Sequence, residues 1–292
     1  KPCAITQGWG PQRHANGENT ARAIFLLAAA TGNIGLVGGG TGGREDSVGL
    51  PIVKTFNTTT TNTESNKIIS AFSWVDAVDH GDQMDTFNAG VLEKSAPGVR
   101  DGKVPVDDDG NPTNTKLDVP IKMVWQYGSN SLVNQTGENN ASVAILEDES
   151  KAELIVTCDI QMTVSARYSD YVLPGTSTAE EFDIHPGENS APMGYGIMSS
   201  QAIDPMYECK SVFDICGELA EKLGVDDAYY DGKDREAWLR DSVAATREAD
   251  PEIPDYDEWK EMGLFRKNMG SVIALQDFRE DPEANPLETP SG

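Results

Sequence analysis

A loop near the start of the chain joins an aromatic ring, an amide and a guanidinium group to the beginning of a predicted helix. The loop runs Gly8-Trp9-Gly10-Pro11-Gln12-Arg13. Backbone N–H groups at a helix N-terminus and the fork of an arginine both present preorganised donors to a negative group. We therefore expect a large anionic ligand here, with Trp9 stacked on a ring and with Gln12 and Arg13 bonded to its polar edge or phosphates. A buried tryptophan with a salt-bridged arginine is the alternative.

A second set of candidate ligand groups follows two predicted strands. Gly128, Ser129, Asn130 and Asn134 follow the first strand, and Asp159 ends the second. A tight turn with amides suits the pyrophosphate and heterocycle of a nucleotide-like cofactor, and a carboxylate suits a ribose hydroxyl or a guanine edge. Ligands of open parallel sheets bind at these carboxyl ends. The alternatives are ordinary turn formers and, for Asp159, a helix or turn cap.

The remaining titratable residues form weaker patterns. Three histidines are scattered along the chain and fit core or surface positions: His14, His80 and His185. Three carboxylates follow a predicted turn: Glu180, Glu181 and Asp183. A solvated loop or a set of ligand-orienting groups explains these carboxylates better than a general acid/base pair. We expect no catalytic residue and no metal ligand among these groups.

Two further patterns invite a metal or redox role. Asp107, Asp108 and Asp109 are consecutive, but a calcium loop starting at Asp107 would place proline sixth where glycine is needed. A solvated turn is the expected structure. The four cysteines lack the C-x-x-C spacing of zinc ribbons and iron–sulfur ligand runs. We expect small buried residues, with the disulfide state open.

The elements that position these groups follow from periodicity and capping signals. A helix is predicted from Asn16, as its N-cap, to a stop at Gly32, and another begins near Ser65. Residues 81–120 read as a polar surface excursion. Strands at 121–126 and 153–157, a helix at 141–146 between them and a third strand at 171–173 indicate a parallel crossover. Helices are also expected at 208–223 and 234–248. These elements predict an α/β fold with a parallel sheet and flanking helices.

Composition limits the classes of partner. The 292 residues are 38% hydrophobic and 24% charged, which suits one large or two ordinary globular domains. A formal net charge of −25 opposes nonspecific attraction to nucleic acid or anionic lipid. No apolar run approaches the roughly 20 residues that cross a bilayer. We expect no nucleic-acid partner.

Four ordered motifs resemble the molybdopterin oxidoreductases of the dimethyl sulfoxide reductase family, and most closely the catalytic chains of its anaerobic enzymes. They are the Gly8–Arg13 loop with the following Gly-Glu and Thr-Gly-Asn-x-Gly, the 125–135 segment, the 155–159 strand end and the 169–174 segment. The resemblance implies cofactor contacts at Gly8, Trp9, Gln12, Arg13, Gly128, Ser129, Asn130, Asn134, Thr157, Cys158, Asp159 and, more weakly, Glu181. It further implies a Rossmann-like molybdopterin-dinucleotide-binding region.

The same resemblance implies the chemistry and the assembly. A molybdenum held by two molybdopterin guanine dinucleotides would reduce an S-oxide or N-oxide, such as dimethyl sulfoxide, by oxygen-atom transfer. A 4Fe-4S cluster, an iron–sulfur electron-transfer subunit and a membrane-anchor subunit would lie outside this chain. The family also implies export of the folded protein by the twin-arginine route, to the periplasm or the extracytoplasmic face of the membrane. A noncatalytic binding or interaction module that keeps the fold without cofactor is the alternative function.

The expected organisation is that of an internal fragment, inactive alone. Residues 1–50 form a cofactor loop and helix that complete one α/β domain, and 51–120 a helix and surface excursion. Residues 121–225 form the α/β dinucleotide-binding unit, and 226–292 lead towards a C-terminal barrel that is missing here. The terminal acceptor and the oligomeric state stay open.

Overall fold

The computed structural model describes residues 2–43, 50, 52, 67–94, 102–118, 120–135, 138–186, 194–270, 273–287 and 289. The chain divides into two compact units. Unit 1 consists of Lys1–Val53, Asp183–Ser199 and Ser242–Gly292, and unit 2 of Lys54–Phe182 and Ser200–Asp241. Within the described ranges, no helix is long and apolar enough to cross a membrane. The four-segment division expected from the sequence stays a prediction.

Helices and strands alternate along the described chain. The strands are β1 (Lys67–Ile68), β2 (Leu92–Lys94), β3 (Gly102–Lys103), β4 (Met123–Tyr127), β5 (Leu154–Asp159), β6 (Tyr171–Pro174), β7 (Asp183–Pro186), β8 (Tyr195–Ser199) and β9 (Leu264–Arg266). The helices are α1 (Gly17–Ala30), α2 (Trp74–His80), α3 (Thr86–Ala89), α4 (Ser131–Asn134), α5 (Asn139–Leu146), α6 (Val212–Leu223), α7 (Asp226–Tyr230), α8 (Arg235–Ala249), α9 (Tyr256–Met262) and α10 (Gln276–Glu280).

A three-stranded parallel sheet is the central feature of unit 2. Its order is β4-β5-β6, with Trp125 opposite Val156 and Thr157 opposite Val172. The middle strand β5 is buried along its interior, as expected for a continuous apolar run covered on both faces. Helix α5 connects β4 to β5, which completes the predicted parallel crossover. The chain is therefore a mixed α/β fold with a parallel sheet.

Helix α6 begins four residues later than the sequence suggested. Its N-cap is Ser211, whose Oγ accepts a hydrogen bond from the Asp214 N–H at 3.1 Å. The preceding Lys210 instead exchanges backbone hydrogen bonds with the end of β6 and the next turn, donating to the Pro174 carbonyl and accepting from Thr176. The predicted stop is confirmed, because Gly224 adopts a left-handed conformation with φ 70°.

The segment between 65 and 120 differs from the sequence prediction in its first helix, and its surface excursion also has a buried part. The helix begins at Trp74, because Lys67 and Ile68 pair with β2 as an antiparallel strand. The supposed surface excursion contributes buried side chains to a small core: Met84, Val91 and Leu117. Residues 57–63, a polar run of asparagine and threonine in the sequence, lie outside the described residues.

Unit 1 contains helix α1, the antiparallel sheet β7-β8-β9 and a core around Trp259. Trp259 is fully buried, and its Nε1–H donates to the Gly196 carbonyl at 3.3 Å. A Cβ atom on Gly196 would lie 2.9 Å from Cη2 of the indole and closer still to Cζ2. Gly196 therefore allows β8 to pack directly against the α9 tryptophan.

Helix α1 occupies the predicted range, but Asn16 does not cap it with its side chain. Asn16 has a left-handed backbone (φ 59°) and no side-chain hydrogen bond to the helix. The glycine cluster at 38–43 packs closely against other parts of the same chain. A Cβ on Gly39 would overlap the Asn33 carbonyl, and one on Gly42 would lie 2.9 Å from the Ile24 carbonyl oxygen.

Candidate functional site

The loop after β4 is shaped by one buried side chain, Gln126. Its Nε2 donates to the Ser129 carbonyl, and its Oε1 accepts from Ser131 Oγ and the Leu132 N–H, both at 3.3 Å. Gly128 turns the chain with φ +54°, and its N–H donates to the Cys158 carbonyl at 2.9 Å. A Cβ on Gly128 would meet nothing within 4 Å. Hydrogen bonds to Gln126 and Cys158 thus hold the turn, while space remains open beside the Cα atom of Gly128.

Ser165 joins the loop after β5 to the loop after β4. Its backbone N–H donates to Asn130 Oδ1 at 3.0 Å, and its own Oγ accepts the Val133 N–H at 3.2 Å. Ser165 is fully buried, so these bonds are shielded from water. The carboxyl ends of β4 and β5 therefore form one connected edge.

The first N–H groups of α4 are all occupied by side chains. Ser129 Oγ accepts the Ser131 N–H at 3.1 Å, Gln126 accepts the next and Ser165 the third. These are the donors that a helix start normally offers to an anion. At this edge, ligand contacts must therefore come from side chains and from the open face of the turn.

Two asparagine side chains flank the short helix α4 at this edge. Within the described residues, the Nδ2 groups of Asn130 and Asn134 make no hydrogen bond, and Asn134 is exposed. Asp159 accepts the Gln161 N–H through Oδ1 at 3.0 Å, which is the turn role considered from the sequence. Large apolar side chains beside them are exposed: Tyr127, Ile160 and Met162. This edge offers amide donors and a carboxylate beside uncovered apolar surface.

Thr157 and Cys158 lie inside the sheet. Both side chains are fully buried, and Thr157 Oγ1 lies 2.7 Å from Ser169 Oγ. Burial raises the pKa of the Cys158 thiol, with the neighbouring Cys216 adding to it. Contact of these two residues with a ligand would run through the backbone or through neighbouring groups.

The carboxylates after β6 make structural bonds. Glu181 accepts from the Thr176 hydroxyl and pairs with Arg235 Nη1 at 2.6 Å. Glu180 is 5% exposed and accepts hydrogen bonds from the backbone N–H groups of Ser177 and Met206 at 2.8 and 2.7 Å. These bonds, with that from Ser177 Oγ, lower the Glu180 pKa. Glu180 is neither solvated nor shaped as one half of an acid/base pair.

The opening loop in unit 1 is exposed. The Arg13 Cζ lies 4.9 Å from the Trp9 ring centroid, and Trp9 is 50% exposed. The alternative of a buried tryptophan with a salt-bridged arginine is wrong, since no carboxylate of the described residues pairs with Arg13. Gln12 lies against the helix start, where a Cβ on Gly17 would overlap its carbonyl. Gly8 has open space, with nothing within 4 Å of an added Cβ.

Gln7 holds this loop in place. Its Nε2 donates to the Gly42 carbonyl at 2.9 Å and to the Ala21 carbonyl at 3.4 Å. The glycine cluster and α1 are therefore tied to the residue immediately before Gly8. The Trp9 indole and the Arg13 guanidinium therefore belong to a loop whose start is held by the hydrogen bonds of Gln7.

Other candidate positions have local roles. His80 lies 3.2 Å from Asp79, and His185 Nε2 lies 3.1 Å from Ser199 Oγ. Asp107 Oδ1 accepts the Asp109 and Asn111 N–H groups at 3.0 and 2.8 Å, as expected of a turn. The calcium alternative gains no support from a carboxylate already engaged in this way.

A family model described as molybdopterin oxidoreductase matches residues 1–222. The chain belongs to the molybdopterin oxidoreductase family. It is 42% identical over 294 residues to dimethyl sulfoxide reductase DmsA of Escherichia coli (strain K12), covering 100% of this chain and 33% of that protein. It is 39% identical to the Haemophilus influenzae DmsA (strain ATCC 51907 / DSM 11121 / KW20 / Rd), covering 100% and 34%. Identity to the dimethyl sulfoxide/trimethylamine N-oxide reductase of Rhodobacter capsulatus is 29%, covering 100% and 35%. The chain thus spans about a third of these relatives' length.

Membership of the molybdopterin oxidoreductase family implies a molybdenum–molybdopterin cofactor. The donors present fit such a group chemically. The Arg13 guanidinium pairs with no carboxylate of the described residues and lies over an indole, which suits phosphates and a flat ring. The amide donors of Asn130 and Asn134 suit polar heterocycle edges. Each of these two donor sets belongs to its own unit.

Three residues important for these sets were not singled out from the sequence: Gln7, Gln126 and Ser165. Gln126 carried a usable signal, since it is an amide inside an otherwise apolar strand immediately before a glycine turn. A buried polar side chain in that position must find partners, and the nearest are the turn's own backbone groups. Ser165 carried no such signal, because its partners lie 32 and 35 residues away.

Proposed function

We propose that this chain binds molybdopterin guanine dinucleotide within an oxidoreductase that reduces S-oxides or N-oxides. The observation that carries the proposal is the carboxyl edge of β4 and β5. There Gly128 is open, and the Nδ2 groups of Asn130 and Asn134 make no hydrogen bond within the described residues. Ligands of open parallel sheets bind at that edge. The names of the relatives, dimethyl sulfoxide and trimethylamine N-oxide reductases, support the substrate class.

Each residue set has a defined task in this proposal. The Asn130 and Asn134 amides donate to polar edges or phosphate oxygens of one dinucleotide, and Asp159 accepts from its guanosine part. Tyr127, Ile160 and Met162 cover its apolar surface. The three parallel strands with ligand groups at their ends support a Rossmann-like arrangement. When bound, the molybdenum supplies oxygen-atom transfer, and the protein orients the group that performs it.

In unit 1, Trp9, Gln12 and Arg13 contact a pterin dinucleotide. Arg13 is already stacked on the indole, so its fork loses little freedom when it meets a phosphate. The guanidinium also opposes the local effect of a chain with net charge −25. Gln7 limits the movement of the loop by tying its start to Gly42 and Ala21.

The proposal extends to the whole protein. The 292 residues alone do not turn over substrate, because they make up about a third of the length of such enzymes. The complete protein also carries a 4Fe-4S cluster, receives electrons from an iron–sulfur subunit and is held by a membrane-anchor subunit. It acts on the extracytoplasmic side of the membrane after twin-arginine export.

The test is the cofactor content of the intact protein, purified without oxygen. Molybdenum is measured by mass spectrometry, and guanine nucleotide by chromatography after acid release. We expect both in the unaltered protein, together with oxidation of reduced viologen by dimethyl sulfoxide or trimethylamine N-oxide. Absence of molybdenum and of guanine nucleotide would instead indicate the noncatalytic module.

A pair of variants localises the binding. Asn134→Ala removes an exposed amide at the sheet edge, whereas Asn140→Ala removes an exposed amide on α5. Loss of one hydrogen bond to a charged or polar ligand costs about 1.5–3 kcal/mol, or roughly 10- to 150-fold in affinity. We expect faster nucleotide release only in the Asn134 variant. Equal release from both variants would contradict the assignment of this edge.

A further inference from the structure

Gln126 uses both ends of its amide inside the fold. It is 5% exposed, and its three partners all belong to the turn and helix that follow: the Ser129 carbonyl, the Ser131 hydroxyl and the Leu132 N–H. Only a side chain with a donor on one branch and an acceptor on the other can serve these groups together. Glutamate lacks the donor when ionised, and methionine lacks both functions.

The bonds of Gln126 surround the residues that face a ligand. Gly128 immediately precedes Ser129, and Asn130 lies between Ser129 and Ser131. Asn134 ends the short helix that begins at Ser131. Helix α4 is only four residues long, too short to hold its own geometry. Side chains therefore hold its first turn. Of these side chains, Gln126 also donates to the carbonyl of Ser129, which precedes the helix.

We propose that Gln126 is a positioning residue for cofactor retention. It holds the 128–134 loop so that the Asn130 and Asn134 amides and the open face of Gly128 meet the dinucleotide together. Gln126 touches no ligand itself and acts through the loop. The inference rests on the proposed function, since it concerns the same edge of the sheet.

The experiment compares variants of the intact protein that each remove buried hydrogen bonding from a different place in the fold. Gln126→Met preserves the length of the side chain and removes its three bonds. Thr246→Val is the control for a loss of buried hydrogen bonding away from the 128–134 loop, because Thr246 is buried in α8 and donates to the Ser242 carbonyl at 2.6 Å. The measurements are the thermal midpoint and the rate at which guanine nucleotide and molybdenum leave the protein.

Both substitutions lower the thermal midpoint, but only Gln126→Met changes cofactor release. Groups that orient direct contacts change affinity by about 10- to 100-fold when they are removed. We expect release from the Gln126→Met protein to be faster by about that factor. Release within about twofold of the Thr246→Val protein would overturn the positioning role, whatever the loss of stability.

The Gln126→Glu variant supplies a pH profile that a general loss of stability does not produce. Its carboxylate faces the Ser129 carbonyl at high pH, whereas the protonated acid donates to that oxygen and restores the missing bond. Burial raises the pKa of such a carboxyl group. Release from this variant should therefore slow as pH falls from about 8 to about 6, while the unaltered protein changes little.

The outcomes separate the two proposals. A pH-independent release rate for Gln126→Glu, equal to that of the unaltered protein, would refute the role of Gln126 alone. The pH profile also decides the question if Gln126→Met does not fold. An unaltered protein that contains neither guanine nucleotide nor molybdenum would overturn the proposed function and this inference with it.

Discussion

Gly128→Ala tests whether a ligand approaches the backbone at the end of β4. Gly128 has φ +54°, and an added Cβ would have nothing within 4 Å. The substitution therefore creates no clash inside the protein. Gly90 offers a matched control, because it has φ +68° and also has nothing within 4 Å of an added Cβ. Both glycines lie in unit 2.

The two substitutions have the same expected effect on stability. A left-handed conformation costs a residue with a Cβ about 1–2 kcal/mol. Replacing glycine also restricts the unfolded chain, which offsets about 0.4–1 kcal/mol of that cost. The free energy of unfolding should fall by about 1 kcal/mol in each variant. For a domain of ordinary size this corresponds to a thermal midpoint lower by about 2–4 °C.

The variants differ in what the new methyl group meets when a ligand is bound. Forcing a methyl group into a packed contact costs about 1–3 kcal/mol, which is about 5- to 150-fold in affinity. We expect faster guanine-nucleotide release from Gly128→Ala than from Gly90→Ala, at equal thermal midpoints. Equal release rates would refute the argument, since they would mean that no ligand group lies over Gly128.

Three further predictions follow from burial and charge. Gly196→Ala should lower the free energy of unfolding by about 2–3 kcal/mol in urea titration, because its Cβ would displace Trp259; an unchanged midpoint would contradict that packing. The lowered pKa of Glu180 means that its contribution to stability is full above its ordinary pKa and is lost as pH falls through the lowered value. As pH is lowered, the thermal midpoint should therefore fall less steeply in Glu180→Gln than in the unaltered protein. Parallel curves would show that this carboxylate contributes nothing to stability. In native thiol labelling, exposed Cys3 should react quickly, whereas Cys158, enclosed and with a raised pKa, should react only after denaturation; early labelling at Cys158 would disprove its enclosure.

The parallel sheet could be predicted because its central strand has a distinctive sequence. Residues 154–158 form an uninterrupted run of apolar and small residues, as a strand covered on both faces requires. Its spacing from the strand at 123–127 leaves room for the connecting helix. Gly224 likewise marked the end of α6, since few residues other than glycine adopt its left-handed backbone.

The secondary-structure predictions were wrong where backbone pairing with a distant segment outweighed the local sequence pattern. Ile68 continues a helical spacing into α2, yet it pairs with Leu92 in an antiparallel sheet. Lys210 precedes α6 in a sequence that favours helix, yet its backbone pairs beside β6. Neither partner is visible from a local window, because the pairing energy depends on residues brought near by the fold.

The candidate contact residues were easier to find than the residues that support them. Exposed groups such as Trp9 and Asn134 are recognised by residue type in a motif. Gln7 and Ser165 act on partners up to 35 residues away, so their roles emerge only from the folded arrangement. Supporting residues of this kind decide whether contact residues hold a usable geometry.

The two donor sets differ in charge, and this difference bears on how an acidic chain holds an anionic cofactor. A net charge of −25 repels a polyanion at long range, and salt screens that repulsion. Amide donors at Asn130 and Asn134 are neutral, so their hydrogen bonds do not depend on displaced counterions as arginine contacts do. Arg13 supplies a charge within its own unit and keeps it stacked on Trp9. For the dinucleotide that we propose unit 2 binds, affinity would therefore come from short-range geometry. The hydrogen bonds by which Gln126 holds the 128–134 loop would then matter more than added positive charge.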